Sequence, residues 1–118
     1  MLNETVYPNL ISWFDCTIPF FKDWLQSNFK EGMTFDNYGS VWSVDHVIPC
    51  AKFDLSKDDE IKNCFRWCNM QPLELNINFS KQDKINKDEI IEHYKKVNIF
   101  ATTHNIKLND FKYTVYTD

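Results

Sequence analysis

Five polar residues stand out by their types and their spacing: Asp45, His46, Asn69, Asn78 and Lys81. The ordinary pKa of histidine is about 6.5, so an imidazole can take a proton from water at neutral pH. A carboxylate beside it can hold a cation. An Asp-His pair alone is more often a surface or capping contact, and single asparagines are ordinary turn or cap residues. A catalytic site would require the fold to bring these residues together.

The adjacency of Asp45 and His46 constrains where such a site can lie. Both belong to VWSVDHVIPC, residues 41–50, which has the composition of a strand. Regular pleating sends neighbouring side chains to opposite faces of a sheet. Both can approach one site if the strand stops being regular there, and Pro49 favours such an end because proline cannot donate to the ladder. The sequence therefore predicts a site where this strand ends.

A helix is predicted ahead of that strand, in an N-terminal helical segment of about residues 16–32. Thr17 is suited to the N-cap, and Pro19 is tolerated in the first turn. Apolar residues then recur at helical spacing, and Gly32 is a credible stop. Turn chemistry around Asn37 and Gly39 leads into the strand.

Further elements are predicted after the strand. Ser56 gives a weak capping signal for a short helix through Trp67, and residues 69–73 are apolar enough for a second strand, with Pro72 at an edge. A helix over about residues 76–85 can follow. Asn86, with Glu89 three residues later, is a better cap for a last helix over about residues 86–98. Its predicted buried stripe is Ile90, Ile91, Tyr94 and Val97. The tail beyond Lys107 is predicted to be an edge strand or a packed extension.

Composition limits the classes of protein that this chain can represent. Its 118 residues predict one domain, and a net charge of −4 provides no general basic field for nucleic acid, so any polyanion site must be local. The apolar runs are too short for a membrane span, and no membrane partner is expected. No basic segment followed by an apolar one opens the chain, so an intracellular location, in cytoplasm or nucleus, with reduced cysteines is expected.

Motifs in three parts of the chain resemble the HNH endonuclease family. WSVDHVIP is similar to the family's W-x-x-D-H-I-I-P, and NMQPLELNINFSK is similar to N-L-Q-P-L followed by N-x-x-K. FKEGMTFDNYGSVW is similar to a segment of the form F-x-x-G-M-T-W-x-N-Y-G-x-W, seen in HNH proteins of phages and large DNA viruses. The resemblance covers about residues 16–84. It implies an α+β fold with a ββα-metal core at about residues 40–85 and flanking helices, within a single domain of residues 1–118.

The resemblance also implies roles for the polar set. It predicts a divalent-metal-dependent endonuclease that hydrolyses phosphodiester bonds in DNA, with His46 as the general base that activates water. Asp45 and Asn78 are the implied metal ligands, and an all-oxygen set favours Mg²⁺ or Mn²⁺. Asn69 joins the catalytic set in an orienting role, because in the family it ties the loop between the strands.

Basic residues near the motif are candidates for binding the substrate. Lys81 could meet a phosphate as a point charge, with the alternative that it is only part of a solvated helix face. Arg66 and Lys84 are weaker candidates for contacts with the nucleic-acid backbone. RNA as a substrate, a homodimer and a separate targeting partner are left open.

Cysteine spacing argues against a structural zinc ion. Family members often carry paired C-x-x-C knuckles, whereas Cys64 and Cys68 are spaced C-x-x-x-C with no second pair. Cys50 could join them as a third ligand, but reduced core thiols are common. His93 and His104 fall outside the motif and are given structural or solvent roles. Two alternatives therefore remain: a catalytically silent nucleic-acid-binding or packaging accessory with the same fold, and a zinc-stapled interaction module.

Overall fold

Two short paired strands, with helices before, between and after them, position the predicted site. The computed structural model describes residues 14–77 and 85–108. In chain order these residues form helix α1 (Ile18–Ser27), strand β1 (Trp42–His46), helix α2 (Asp58–Phe65), strand β2 (Met70–Glu74) and helix α3 (Lys87–Thr103). Short 3-10 turns lie between them at Phe35–Asn37, Cys50–Lys52 and Trp67–Asn69. The α+β class predicted from the sequence is confirmed for the described residues.

Strands β1 and β2 pair antiparallel. The register runs from Trp42 opposite Glu74 to His46 opposite Met70, at the end of β1. The described residues place no third strand beside them, so both strands are edges. Pro72 lies within β2, at the kind of edge position that the sequence required for it.

Helix α1 begins where it was predicted to begin but ends early. The Thr17 hydroxyl oxygen accepts a hydrogen bond at 3.2 Å from a backbone N–H three residues on. The helix ends at Ser27, five residues before the predicted stop. Ser27 Oγ and Asn28 Nδ2 both donate to the Trp24 carbonyl oxygen, at 2.6 and 2.9 Å. These side chains satisfy a carbonyl group of the last turn, which favours an end at this point.

Helix α2 is shorter than predicted, and its predicted cap is wrong. Ser56 donates its hydroxyl to Asp54 at 2.6 Å, and Lys57 occupies the N-cap position. The helix ends at Phe65, so Trp67 lies in the following 3-10 turn. Acidic residues fill its first turn, which favours the helix through its dipole.

Helix α3 has the predicted cap and a different buried face. The side chain of Asn86 accepts a hydrogen bond from the Glu89 backbone N–H at 3.1 Å, as predicted. The helix continues to Thr103, beyond the predicted end at residue 98. Ile91 is 41% exposed, so its assignment to the buried stripe is wrong, and His93 is buried instead.

Removing the cap of α3 gives a first test of this local structure. Asn86→Ala should lower the free energy of unfolding by about 1 kcal/mol, because a backbone N–H of the first turn loses its acceptor. Chemical denaturation followed by circular dichroism measures the change. Asn98→Ala, at an exposed position of the same helix, is the matched control and should change stability by less than about 0.5 kcal/mol. Equal losses in the two variants would contradict a capping role.

Buried side chains form two apolar clusters. The larger is rich in aromatic residues and consists of Phe14, Phe21, Trp24, Leu25, Met33, Trp42, Trp67, Cys68, Met70, Tyr94, Val97 and Ala101. Within it the rings of Trp24 and Trp67 meet edge to face at 5.1 Å, and Trp24 Nε1 donates to the Met70 carbonyl oxygen at 2.9 Å. This bond fixes α1 against the start of β2. The smaller cluster consists of Val47, Ile48, Phe53, Cys64 and Ile90.

Some predicted elements reach beyond the described residues. Leu75 is helical directly after β2, in keeping with a helix at this point, but most of the predicted helix over residues 76–85 falls on residues 78–84. The predicted tail likewise falls largely on residues 109–118. No described helix has the length and apolar character that crossing a membrane requires.

Candidate functional site

Asp45 and His46 are the last two residues of β1. Asp45 pairs with Gln71 and His46 with Met70 in the ladder. Because side chains alternate along a strand, the carboxylate and the imidazole leave the ladder on opposite faces. The strand ends at His46, three residues before the Pro49 near which the sequence predicted its end, and both residues still belong to the regular ladder.

The Asp45 carboxylate is oriented by its cross-strand neighbour. Asp45 is only 8% exposed, and Gln71 Nε2 donates to its Oδ2 at 2.9 Å. A carboxylate taken out of water needs such a donor, because burying the charge without one is costly. The amide therefore fixes one carboxylate oxygen of the proposed metal ligand. A fixed carboxylate oxygen suits a hard divalent cation.

The imidazole of His46 lies in different surroundings. The side chain is half-buried, its Nε2 atom is enclosed, and its ring meets the Phe65 ring edge to face at 5.1 Å. The thiols of Cys50 and Cys64 approach the same ring. One ligand atom from each of these three side chains lies within 4.8 Å of the other two.

Asn69 holds the chain together immediately after the Asp-His pair. Its side chain is buried; Oδ1 accepts from the Ile48 N–H at 2.9 Å, and Nδ2 donates to the Ile48 carbonyl at 3.1 Å. Nδ2 also donates to the Cys64 carbonyl at 2.8 Å. The backbone carbonyl of Asn69 accepts from the Val47 N–H at 2.8 Å. Asn69 thus joins the end of β1, the end of α2 and the start of β2.

Three predicted site residues fall outside the described part of the chain. They are Asn78, Lys81 and Lys84, all within residues 78–84. Their roles as metal ligand and phosphate contacts stay predictions. The described helical residues 75–77 directly precede Asn78 in the sequence.

Arg66 has a partner inside the protein. Its side chain is 9% exposed, and Nη2 lies 3.5 Å from a carboxylate oxygen of Asp15. A contact with nucleic acid would compete with this ion pair. The role of Arg66 in binding substrate also stays a prediction.

The three cysteines considered together for zinc do not converge. Cys64 Sγ lies 3.0 Å from Cys50 Sγ, whereas Cys68 lies in the larger apolar cluster. Burial, followed by the hydrogen bond with Cys50, raises the pKa of the Cys64 thiol. Burial also raises the pKa of Cys68 to about 12. The Cys68 carbonyl oxygen is 2.8 Å from His93 Nε2, which gives that buried histidine a structural contact.

Sequence reasoning missed the role of Gln71 and considered Cys50 with Cys64 only as part of a group of three cysteines. Gln71 could have been found from the register, since pairing Val47 with Asn69 places Gln71 opposite Asp45. The approach of Cys50 to Cys64 had no comparable signal, because those cysteines are far apart in sequence. Their meeting depends on the path of the loop between β1 and α2.

A cleft of about 680 Å³ lies beside β2 and α3. Its wall includes Gln71, which reaches Asp45, and also carries basic Lys30 and Lys96. Acidic Asp88, Glu89 and Glu92 lie on the same wall. This mixture of charges does not make the described part of the cleft a phosphate-binding groove.

Two proteins of Acanthamoeba polyphaga mimivirus are similar to this chain. Uncharacterized protein L246 is 45% identical over 98 residues, which cover 83% of this chain and 42% of the relative. Uncharacterized protein L426 is 47% identical over 89 residues, which cover 75% of this chain and 39% of the relative. The chain spans about two fifths of the length of these curated relatives. No protein-family model and no solved structure matches it. The two relatives support a viral origin.

Proposed function

We propose that this chain is a divalent-metal-dependent HNH endonuclease domain that hydrolyses phosphodiester bonds in DNA. The observation that carries the proposal is the bonding of Asn69 around the end of β1. Its side chain binds Ile48, two residues after His46, and also the end of α2. An asparagine in this position ties the loop between the strands, which is the role that the resemblance assigns to it.

The order of the elements also supports the proposal. β1 ends in Asp-His, a loop with α2 follows, β2 pairs antiparallel with β1, and helical structure resumes at Leu75. A ββα-metal core requires this succession of strand, loop, strand and helix. The resemblance implies that Asn78 belongs to the helix that completes such a core.

In the proposed mechanism each residue of the set has a distinct task. His46 takes a proton from the attacking water, a contribution typically worth 10²–10⁴-fold in rate. Asp45, oriented by Gln71, and Asn78 would hold the cation, and Asn69 is a positioning residue. A bound Mg²⁺ or Mn²⁺ supplies charge stabilisation for the phosphate and the leaving oxygen. Lys81, with Lys84 and Arg66, would contact the phosphate backbone.

The geometry of β1 sets a requirement on the substrate. Asp45 and His46 leave the ladder on opposite faces, and β2 occupies one edge of β1. A phosphodiester that reaches both groups therefore has to cross the other edge of β1, next to the end of the strand. We expect single strands and distorted duplexes to meet this requirement more easily than regular duplex DNA.

A plasmid-nicking assay tests the proposal. Supercoiled and single-stranded DNA are incubated with the protein and Mg²⁺, Mn²⁺, Ca²⁺, Zn²⁺ or EDTA, beside a matched RNA. We expect cleavage with Mg²⁺ or Mn²⁺ and none with EDTA. DNA binding without cleavage in any metal would contradict the endonuclease proposal and favour a silent accessory protein.

Asp45→Asn should raise the Mg²⁺ concentration needed for half-maximal cleavage by tenfold or more, because the ligand loses its charge while the size of the side chain is kept. The measurement is a metal titration of the nicking rate. Asp23→Asn, at an exposed position on α1, is the control and should keep the wild-type midpoint. An unchanged midpoint in Asp45→Asn would exclude Asp45 as a ligand.

A further inference from the structure

A group of three side chains whose donor atoms are suited to a metal ion lies around His46, on the face of β1 opposite Asp45. The sulfur atoms of Cys50 and Cys64 are 3.0 Å apart, and a ring nitrogen of His46 completes a group whose ligand atoms all lie within 4.8 Å of one another. Cys64 is buried, whereas His46 and Cys50 are half-buried. The group is therefore partly enclosed.

We propose that His46, Cys50 and Cys64 bind a thiophilic divalent cation of the Zn²⁺ class, and that its binding withholds His46 from proton transfer. The binding part depends only on these three side chains. The inhibitory part rests on the proposed function. Neither the all-oxygen site at Asp45 nor the Cys64-Cys68 spacing includes this ligand set.

The donor atoms select the class of cation. Two sulfurs and an imidazole nitrogen suit Zn²⁺ and its soft or borderline analogues, whereas Mg²⁺ prefers oxygen. Zn–S distances of about 2.3 Å in a tetrahedral site place two sulfurs about 3.8 Å apart. The Cys50 and Cys64 sulfurs must therefore separate by less than about 1 Å from their present 3.0 Å. Cys50 lies in a short 3-10 turn of the connecting loop, where such a shift is local.

Protonation and coordination number also shape the site. Both sulfurs bind a cation as thiolates, so binding must displace their protons and requires a cation with a strong preference for thiolate. Three protein ligands leave a fourth position for water, as in open zinc sites. The half-buried side chains of His46 and Cys50 allow that water access.

The two faces of β1 would then respond to different cations. A hard cation at Asp45 supports hydrolysis in the proposed mechanism. A thiophilic cation on the opposite face coordinates the imidazole nitrogen of His46. That nitrogen is the proton acceptor for the attacking water in the proposed mechanism. The ring nitrogen cannot accept a proton while it coordinates the cation. Zn²⁺ should therefore oppose Mg²⁺ without competing for the same ligands.

Cobalt substitution tests the binding part. Reduced protein is titrated anaerobically with Co²⁺, and the sulfur-to-cobalt charge-transfer band is recorded before Zn²⁺ is added to displace the cobalt. We expect one equivalent to bind to the wild type and to Cys16→Ser, the control for a half-buried cysteine that packs on the larger apolar cluster. Cys50→Ser and Cys64→Ser should each weaken binding by tenfold or more.

Circular dichroism establishes whether each variant is folded. If Cys64→Ser does not fold because Cys64 is buried, the result for Cys50→Ser tests the proposal. No charge-transfer band in folded wild-type protein would overturn the proposal. Wild-type affinity in folded Cys50→Ser would overturn it as well.

Inhibition is measured as the ratio of cleavage rates with and without Zn²⁺, at saturating Mg²⁺. The rate with Zn²⁺ divided by the rate without it should be about one tenth or less in the wild type and near one in Cys50→Ser. Equal inhibition of both proteins would overturn the inhibitory part. A cobalt band in wild-type protein that does not cleave DNA would reject the nuclease proposal and keep the metal-site proposal. DNA cleavage by wild-type protein that gives no cobalt band would reject the metal site and keep the nuclease proposal.

Discussion

Replacing His46 by alanine is expected to lower the rate of DNA cleavage by at least about a hundredfold while the protein remains folded. The imidazole is the proposed proton acceptor, and loss of a general base typically costs 10²–10⁴-fold. The side chain is half-buried and meets Phe65 only edge to face, so its removal should not collapse the smaller apolar cluster. The nicking rate at saturating Mg²⁺ is the measurement.

A matched control is available in His104. That histidine is exposed at the C-cap of α3 and its ring stacks on Phe100, far along the chain from the Asp-His pair. His104→Ala should cleave at the wild-type rate. Wild-type cleavage by folded His46→Ala would rule out His46 as the base. If His46→Ala binds Mg²⁺ with wild-type affinity, its loss of cleavage is due to the missing base and not to a missing metal ion.

Replacing Asn69 by alanine is expected to give a large loss of stability, a fall of about 3 kcal/mol or more in the free energy of unfolding. The substitution leaves the Ile48 N–H and the Ile48 and Cys64 carbonyl groups without their present side-chain partner. Each buried polar group left unsatisfied costs about 1–3 kcal/mol. Since small domains are stable by about 5–15 kcal/mol, such a loss should be plain in a urea titration.

Two further substitutions separate hydrogen bonding from side-chain size. Asn69→Asp keeps an acceptor for Ile48 but turns the amide donor into a charged oxygen facing two carbonyl groups, so it should destabilise at least as much as alanine. Asn63→Ala, at a half-buried position in α2, should cost less than about 1 kcal/mol. Similar losses for Asn63→Ala and Asn69→Ala would refute the special role given to Asn69.

Local signals in the sequence were sufficient for the starts of α1 and α3 and for the approximate positions of the two strands, but not for the start of α2. Thr17 and Asn86 were recognised as caps because capping depends on residues three positions apart. The end of α1 was missed because two side chains, Ser27 and Asn28, converge on one carbonyl group, which no periodicity reveals. Ile91 was placed inside because it is apolar.

The surroundings of Asp45, on one face of β1, were easier to predict from the sequence than those of His46 on the other face. Composition and Pro49 predicted the end of β1 to within three residues, since the strand ends at His46, and the cross-strand partner of Asp45 followed once the register was known. The approach of Cys50 to Cys64 depends on a loop whose path is set by tertiary packing. Cys68 seemed the better partner by spacing, but α2 ends before it, and it turns into the other cluster.

The double attachment of Asn69 also bears on how related chains can diverge. Ile48 and Cys64 bind the same side chain, so the two ends of residues 49–63 meet at Asn69, while Phe53 anchors the first part of this segment in the smaller apolar cluster. The side chains from Asp54 to Asp59, in the middle of this segment, are exposed. Lengthening a flexible loop costs little, about 0.6 kcal/mol for each doubling. Insertions and deletions acquired there during evolution can therefore alter the outline of the protein while Asp45 and His46 keep their places.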